Sequence, residues 1–150
     1  MTVPELTVGR IETIVDHSNA DKLFIEQINT GSDELQVISG LKPHYDKEEL
    51  EGKNVVIVTN LEPAKLRGER SEAMLLAVDA EDQVSVVIAP DHEPGDHISF
   101  DQQSPEPRIS FDDFMSNKLS FKQGFLYLNE EKMSNTQALR SMRGVDGPVR

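Results

Sequence analysis

Three cations set close together, Lys65, Arg67 and Arg70, are the residues best placed to do chemistry in this chain. They lie within Asn60–Met74, a polar stretch punctuated by Pro63 and Gly68 between two apolar runs. Phosphate recognition needs positive donors aimed at one backbone, and a curved connection with this spacing can supply them. Arg67 can fork onto a phosphate or a guanine edge, whereas Lys65 acts as a mobile point charge. Gly68 allows close backbone approach or supplies a positive φ. Asn60 and Ser71 offer neutral hydrogen bonds suited to unstacked bases or a 2′-hydroxyl; alternatively, they bond their own backbone and hold the turn. Arg67 and Arg70 also have Glu69 and Glu72 as competing surface partners. Lys42, after the third strand, and Arg10, in the first, extend the patch if they share its face, with Glu12 competing for Arg10. Met74 reads as core or pocket wall.

Other chemistries lack a pattern. Without cysteine there is no disulfide, thiolate ligand or thiol nucleophile. His17, His44, His92 and His97 are scattered, and the group Asp91, His92, Glu93, Asp96, His97 reads as a charged turn rather than a metal site. No nucleophile-elbow, Walker or dinucleotide fingerprint is present. The reading is therefore no catalytic residue, no metal and no cofactor. Tryptophan is absent. Phe24 and Phe100 are assigned to the core, which leaves Tyr45 as the stacking candidate and favours recognition of RNA shape and backbone. A formal charge of −12 opposes generic polyanion binding, so any such role must be local. Residues 76–107 hold no Lys or Arg at all.

These groups need a scaffold, and the apolar pattern supplies one. Residues 6–15 read as a long strand with Gly9 marking a bulge or bend, followed by a turn at 16–21. Residues 23–29 and 35–39 read as a hairpin pair turning at 30–33. Asp46 caps a short helix with Glu49 three residues on and Gly52 as its stop. Residues 54–59, 72–79, 83–88 and 97–100 are read as further strands, with a turn at 89–96. One short helix between the third and fourth of five or six strands argues against a parallel βαβ architecture and suits a small closed barrel better than a β-sandwich. The expected fold is all-β: a five-stranded oligonucleotide-binding barrel over 1–100, a linker at 101–108, and a small extension at 109–150 packed on the barrel. In that extension Ser110 caps a helix with Asp113, 124–128 is a strand, 136–142 a short helix or strand, and 143–150 a loosely ordered tail. No apolar run approaches a membrane span, so the expected setting is cytoplasmic.

Asn60-Leu61, Pro63-Ala64-Lys65, Arg67-Gly68, Ser71 and Met74 resemble the signature of the tRNA-binding barrel family. That family includes endothelial monocyte-activating polypeptide II and the domains appended to methionyl- and tyrosyl-tRNA synthetases. Val8-Gly9-Arg10-Ile11, Asn19-Ala20-Asp21-Lys22-Leu23, Val37-Ile38-Ser39-Gly40-Leu41 and Pro94-Gly95-Asp96 match in order, so the likeness spans about residues 6–100. It implies a non-catalytic module that binds tRNA and recruits it to an aminoacyl-tRNA synthetase, in cis or in trans. It also implies that the extension, including Met133-Ser134-Asn135, imitates the partner subunit of dimeric relatives, giving a monomer; without that imitation a homodimer is expected. The departure is electrostatic, since many relatives are basic. An acidic surface favours the alternative: a protein-interaction or cytokine-like module of a synthetase complex, with weak or no tRNA binding.

Overall fold

Aliphatic and β-branched residues at strand spacing make residues 6–39 an antiparallel meander. The computed structural model describes residues 3–98, 108–132 and 139–149. Its first elements are β1 (Leu6–Asp16), β2 (Phe24–Asn29), β3 (Glu34–Ser39), α1 (Lys47–Leu50) and β4 (Asn54–Val58). Next come β5 (Ala64–Leu66), β6 (Glu69–Ser71), β7 (Met74–Leu75), β8 (Ala77–Ala80), β9 (Gln83–Ile88) and β10 (His97–Ile98). The extension holds α2 (Phe111–Met115), β11 (Leu119–Lys122), β12 (Phe125–Leu128), β13 (Glu131–Lys132), β14 (Arg140–Ser141) and β15 (Gly147–Pro148).

The main sheet runs β14-β9-β4-β1-β2-β3, with β10 on β1, β7 on β4 and β8 on β9. β1, β2, β3, β4 and β9 form the expected oligonucleotide-binding barrel. Side chains help to close it at the free edge of β3. There the Glu72 N–H donates to Gln36 O at 2.8 Å, the Gln36 N–H to Glu72 Oε1 at 2.9 Å, and the Ile38 N–H to Ser71 Oγ at 3.0 Å. The helix begins as expected: Glu49 Oε1 accepts from the Asp46 N–H at 2.8 Å, reciprocating the cap.

β4 explains how barrel and extension share one structure. Its Val55 and Ile57 face the barrel interior with Ile11, Phe24, Ile28 and Leu50, while Val56 and Val58 face a second core with Leu76, Phe114, Phe121 and Leu126. A strand covered on both faces reads as an unbroken apolar run, which is what Val55–Val58 is.

Several expectations are corrected. The β1 register shifts between Ile11 and Thr13, not at Gly9. Gly9 answers a close approach instead, because a Cβ there would stand 2.4 Å from Ile28 Cγ2. The strand expected at 72–79 divides at Leu76, which passes the chain from β4 to β9: its N–H bonds Val56 O at 3.0 Å and its carbonyl accepts from the Val87 N–H at 3.2 Å. The connection at 60–74 contains the β5–β6 hairpin, and β11 is an additional strand. The tail is packed, not loose. β15 pairs with β11, and the buried Val149 bridges to Val78 and donates its N–H to Leu119 O at 2.8 Å, because an apolar side chain there completes the second core. Within 136–142, Arg140–Ser141 forms strand β14 against β9. Phe100, residues 101–107 of the linker expected at 101–108, and Met133-Ser134-Asn135 lie outside the described residues.

Glu26 is buried on the inward face of β2 between Phe24 and Ile28. The Ser39 hydroxyl donates to its Oε2 at 2.5 Å, while Oε1 has no hydrogen-bond partner among the described residues. Burial pushes this carboxyl up to about 8 against the opposing pull of the Ser39 bond.

Candidate nucleic-acid interface

Arg67 and Gly68 form the two-residue loop of the β5–β6 hairpin, with φ of 53° and 91°. A type I′ turn needs positive φ at both positions, which glycine meets freely and arginine only with strain. Gly68 therefore serves the turn; nothing lies within 4 Å of where its Cβ would be. The register sets Lys65 opposite Arg70 and Leu66 opposite Glu69. Like charges placed directly across a pair of strands destabilise it. Lys65, Arg67 and Arg70 are all exposed, and none has a side-chain hydrogen bond or ion pair among the described residues. Glu72, offered above as a partner for the arginines, instead accepts from the Gln36 N–H.

The hairpin rests on the turn after β1. His17, buried, accepts the Asn19 N–H on Nδ1 at 3.0 Å, which leaves its proton on Nε2. That Nε2 donates to Leu66 O at 3.0 Å. Beside this tie, Arg67 and residues Ala20–Leu23 line a cavity of about 380 Å³. Lys22, exposed, thus shares a cavity with Arg67. Nothing local in the sequence places Lys22 at the site; its nearness arises only because the hairpin folds back onto the turn.

The remaining candidates separate. Lys42 is ion-paired to Asp16 at 3.6 Å, next to His17, so it borders the turn; Lys47 shares the same carboxylate at 3.5 Å. Arg10 is exposed and donates from Nε to Asn54 Oδ1 at 3.4 Å. Glu12 is occupied by Asn29 Nδ2 at 3.1 Å, so it does not pair with Arg10. Asn60 is buried: Oδ1 accepts the Glu5 N–H at 2.8 Å and Nδ2 donates to Val3 O at 3.0 Å. Ser71 is buried as well, accepting from Ile38 and donating to Ala73 O at 2.9 Å. Ser71 thus holds its own turn, the second of the two readings given above, whereas Asn60 fits neither, tying the connection to the N-terminal segment instead. Tyr45 is also corrected. It is buried, its hydroxyl accepts the Val86 N–H at 3.0 Å, and the Arg143 guanidinium covers the ring at 4.1 Å, so it offers no stacking face. Met74 is partly buried against the second core.

Among the described residues no group of three or more His, Cys, Asp or Glu side chains is placed to hold a metal ion. No described helix is long and apolar enough to cross a membrane.

The family model described as the putative tRNA binding domain matches residues 6–97, which include the barrel strands, the turn and the hairpin. The methionine–tRNA ligase of Thermococcus onnurineus is 45% identical over 89 residues, covering 59% of this chain and 12% of that protein. The aminoacyl tRNA synthase complex-interacting multifunctional protein 1 of Cricetulus griseus is 37% identical over 105 residues, covering 69% of this chain and 29% of its own length. The chain therefore spans less than a third of the length of these curated relatives. Among solved structures, the C-terminal domain of Plasmodium vivax p43 superposes with a TM-score of 0.79 at 25% identity, covering 98% of this chain and 96% of that one. With the family model matched over more than half of its residues, the chain belongs to the putative tRNA-binding domain family.

Proposed function

We propose that this chain is a non-catalytic tRNA-binding module that recruits tRNA to an aminoacyl-tRNA synthetase, in the same polypeptide or within a complex. The observation that carries the proposal is the hairpin: Lys65 and Arg70 face each other unpaired, a cost in isolation that a phosphate backbone laid across them relieves. Lys65, Arg67 and Arg70 contact phosphates, joined by Lys22, with Lys42 and Arg10 at the margin. Ser71 holds the hairpin to β3, Gly68 shapes its turn, and Asn60 ties the start of the connection to Val3 and Glu5. Tethering near a synthetase raises the local tRNA concentration even where intrinsic affinity is modest. The names of the relatives above support the synthetase association. The division into a barrel domain (1–100), a linker (101–108) and an extension (109–150) belongs to the same proposal, supported by the separate four-stranded sheet of the extension. We place the module in the cytoplasm as a monomer, the extension covering the outer face of β4; a stable dimer in sedimentation would count against the monomer.

The acidic remainder favours a second reading, a protein-docking module with little affinity for tRNA. Filter binding with total tRNA at about 50 mM salt, where charges are least screened, separates the two. Retention that fades with added salt supports the tRNA module, and no retention at low salt puts the docking reading ahead.

A further inference from the structure

We infer that His17 is a positioning residue for RNA binding: it locks the cationic hairpin onto the turn after β1, so that Arg67 and Lys22 stay on one cavity. The inference rests on the tRNA-binding reading above. The hairpin forms its own two-stranded sheet, and an isolated pair of strands is marginal in water. β6 is held to β3 from behind, by Gln36 Nε2 donating to Arg70 O at 2.9 Å and by Ser71 Oγ accepting from Ile38. β5 is exposed along its length, and its hydrogen bond outside the hairpin, among the described residues, is the one from His17 to Leu66 O. That bond reaches the residue before Arg67.

Imidazole suits this task. Its ring is rigid, its two nitrogens point apart, and both are engaged: Nδ1 organises the turn through the Asn19 N–H while Nε2 reaches across to the hairpin. The turn and the cationic tip are thus one unit before any RNA arrives. Preorganisation of this kind raises affinity by sparing the ordering of side chains on binding. Without it, Lys65 and Arg67 still carry charge, but their spacing relative to Lys22 is no longer set.

Two substitutions split the two bonds. His17→Asn keeps a side-chain acceptor for the N–H two residues on, as Asn does in an Asx-turn, but is too short to reach Leu66. His17→Gln keeps a donor long enough for Leu66 and gives up the ring acceptor. In filter binding with total tRNA at low salt, His17→Asn is expected to weaken affinity about fivefold, the effect of one net hydrogen bond. His17→Gln is expected to stay within about twofold of wild type. A double-mutant cycle adds a readout that a change in global stability does not move: in the His17→Asn background, Lys65→Ala/Arg67→Ala should cost markedly less than in wild type. Wild-type affinity in His17→Asn, or strict additivity in the cycle, overturns the inference while leaving the tRNA reading intact. If His17→Asn does not fold, loss of affinity in a folded His17→Gln overturns it, and retained affinity supports it. Failure of the wild-type chain to bind tRNA removes both proposals.

Discussion

Replacing Glu26 with Gln should change how stability depends on pH, and the size follows from the burial of its carboxyl. The native carboxyl titrates at about 8, against an ordinary value of 4.5 in the unfolded chain. Between those values the folded state holds a proton that the unfolded state has lost, so stability falls as pH rises through the window. Below pH 4.5 both states are protonated and the group is neutral to stability; above pH 8 the penalty is complete. Across the window the loss is about 1.4 kcal/mol per pH unit, on the order of 3 kcal/mol by pH 7. Gln cannot ionise, so it removes this slope. Its amide keeps an acceptor for the Ser39 hydroxyl but adds a buried N–H near the unpartnered Oε1 position, which costs about 1 kcal/mol at every pH. The variant should therefore be slightly less stable than wild type near pH 4.5 and more stable, by about 2 kcal/mol, at pH 7. Urea unfolding from pH 4.5 to 9, with constant m-values, measures the difference. A wild-type-to-variant difference that does not change with pH would refute the reasoning.

Three further substitutions test the packing. Gly9→Ala should cost about 1–3 kcal/mol in thermal unfolding, because the new methyl meets Ile28 Cγ2 at 2.4 Å; a loss below about 0.5 kcal/mol contradicts the close approach. Asn60→Ala should cost about 2 kcal/mol by stranding the Glu5 N–H and Val3 carbonyl, with the salt slope of tRNA binding unchanged; a lower slope at unchanged stability would return Asn60 to the interface. Val149→Ser should cost about 2 kcal/mol in urea unfolding, whereas a loose tail predicts no loss.

The barrel was legible because its strands advertise themselves: β-branched runs, a capped helix at Asp46 and turn residues between. The hairpin was not. Ala64–Leu66 and Glu69–Ser71 contain no β-branched residue, so nothing in Pro63–Ser71 reads as strand. Its cations were visible as charge, but Lys22 joins them only through the fold-back that His17 secures. Asn60, Ser71 and Tyr45 show a different limit. The hydrogen-bonding and stacking groups that suit a ligand equally suit a backbone amide or a neighbouring guanidinium, and only long-range placement decides between them. Val149 was unreadable for the same reason, since its partners Leu119 and Val78 are distant in sequence. A lone glycine in a strand marks a bulge and a close approach equally well, and at Gly9 it is the small size that Ile28 requires.

The most direct test of the central claim is the salt dependence of tRNA binding by wild type and by Lys65→Ala/Arg67→Ala. Each phosphate contact contributes about one unit to the slope of log affinity against log salt. The hairpin account predicts a measurable wild-type affinity whose slope falls by about two units in the double variant. A double variant with unchanged affinity and slope would contradict it, and would move the interface away from the hairpin altogether.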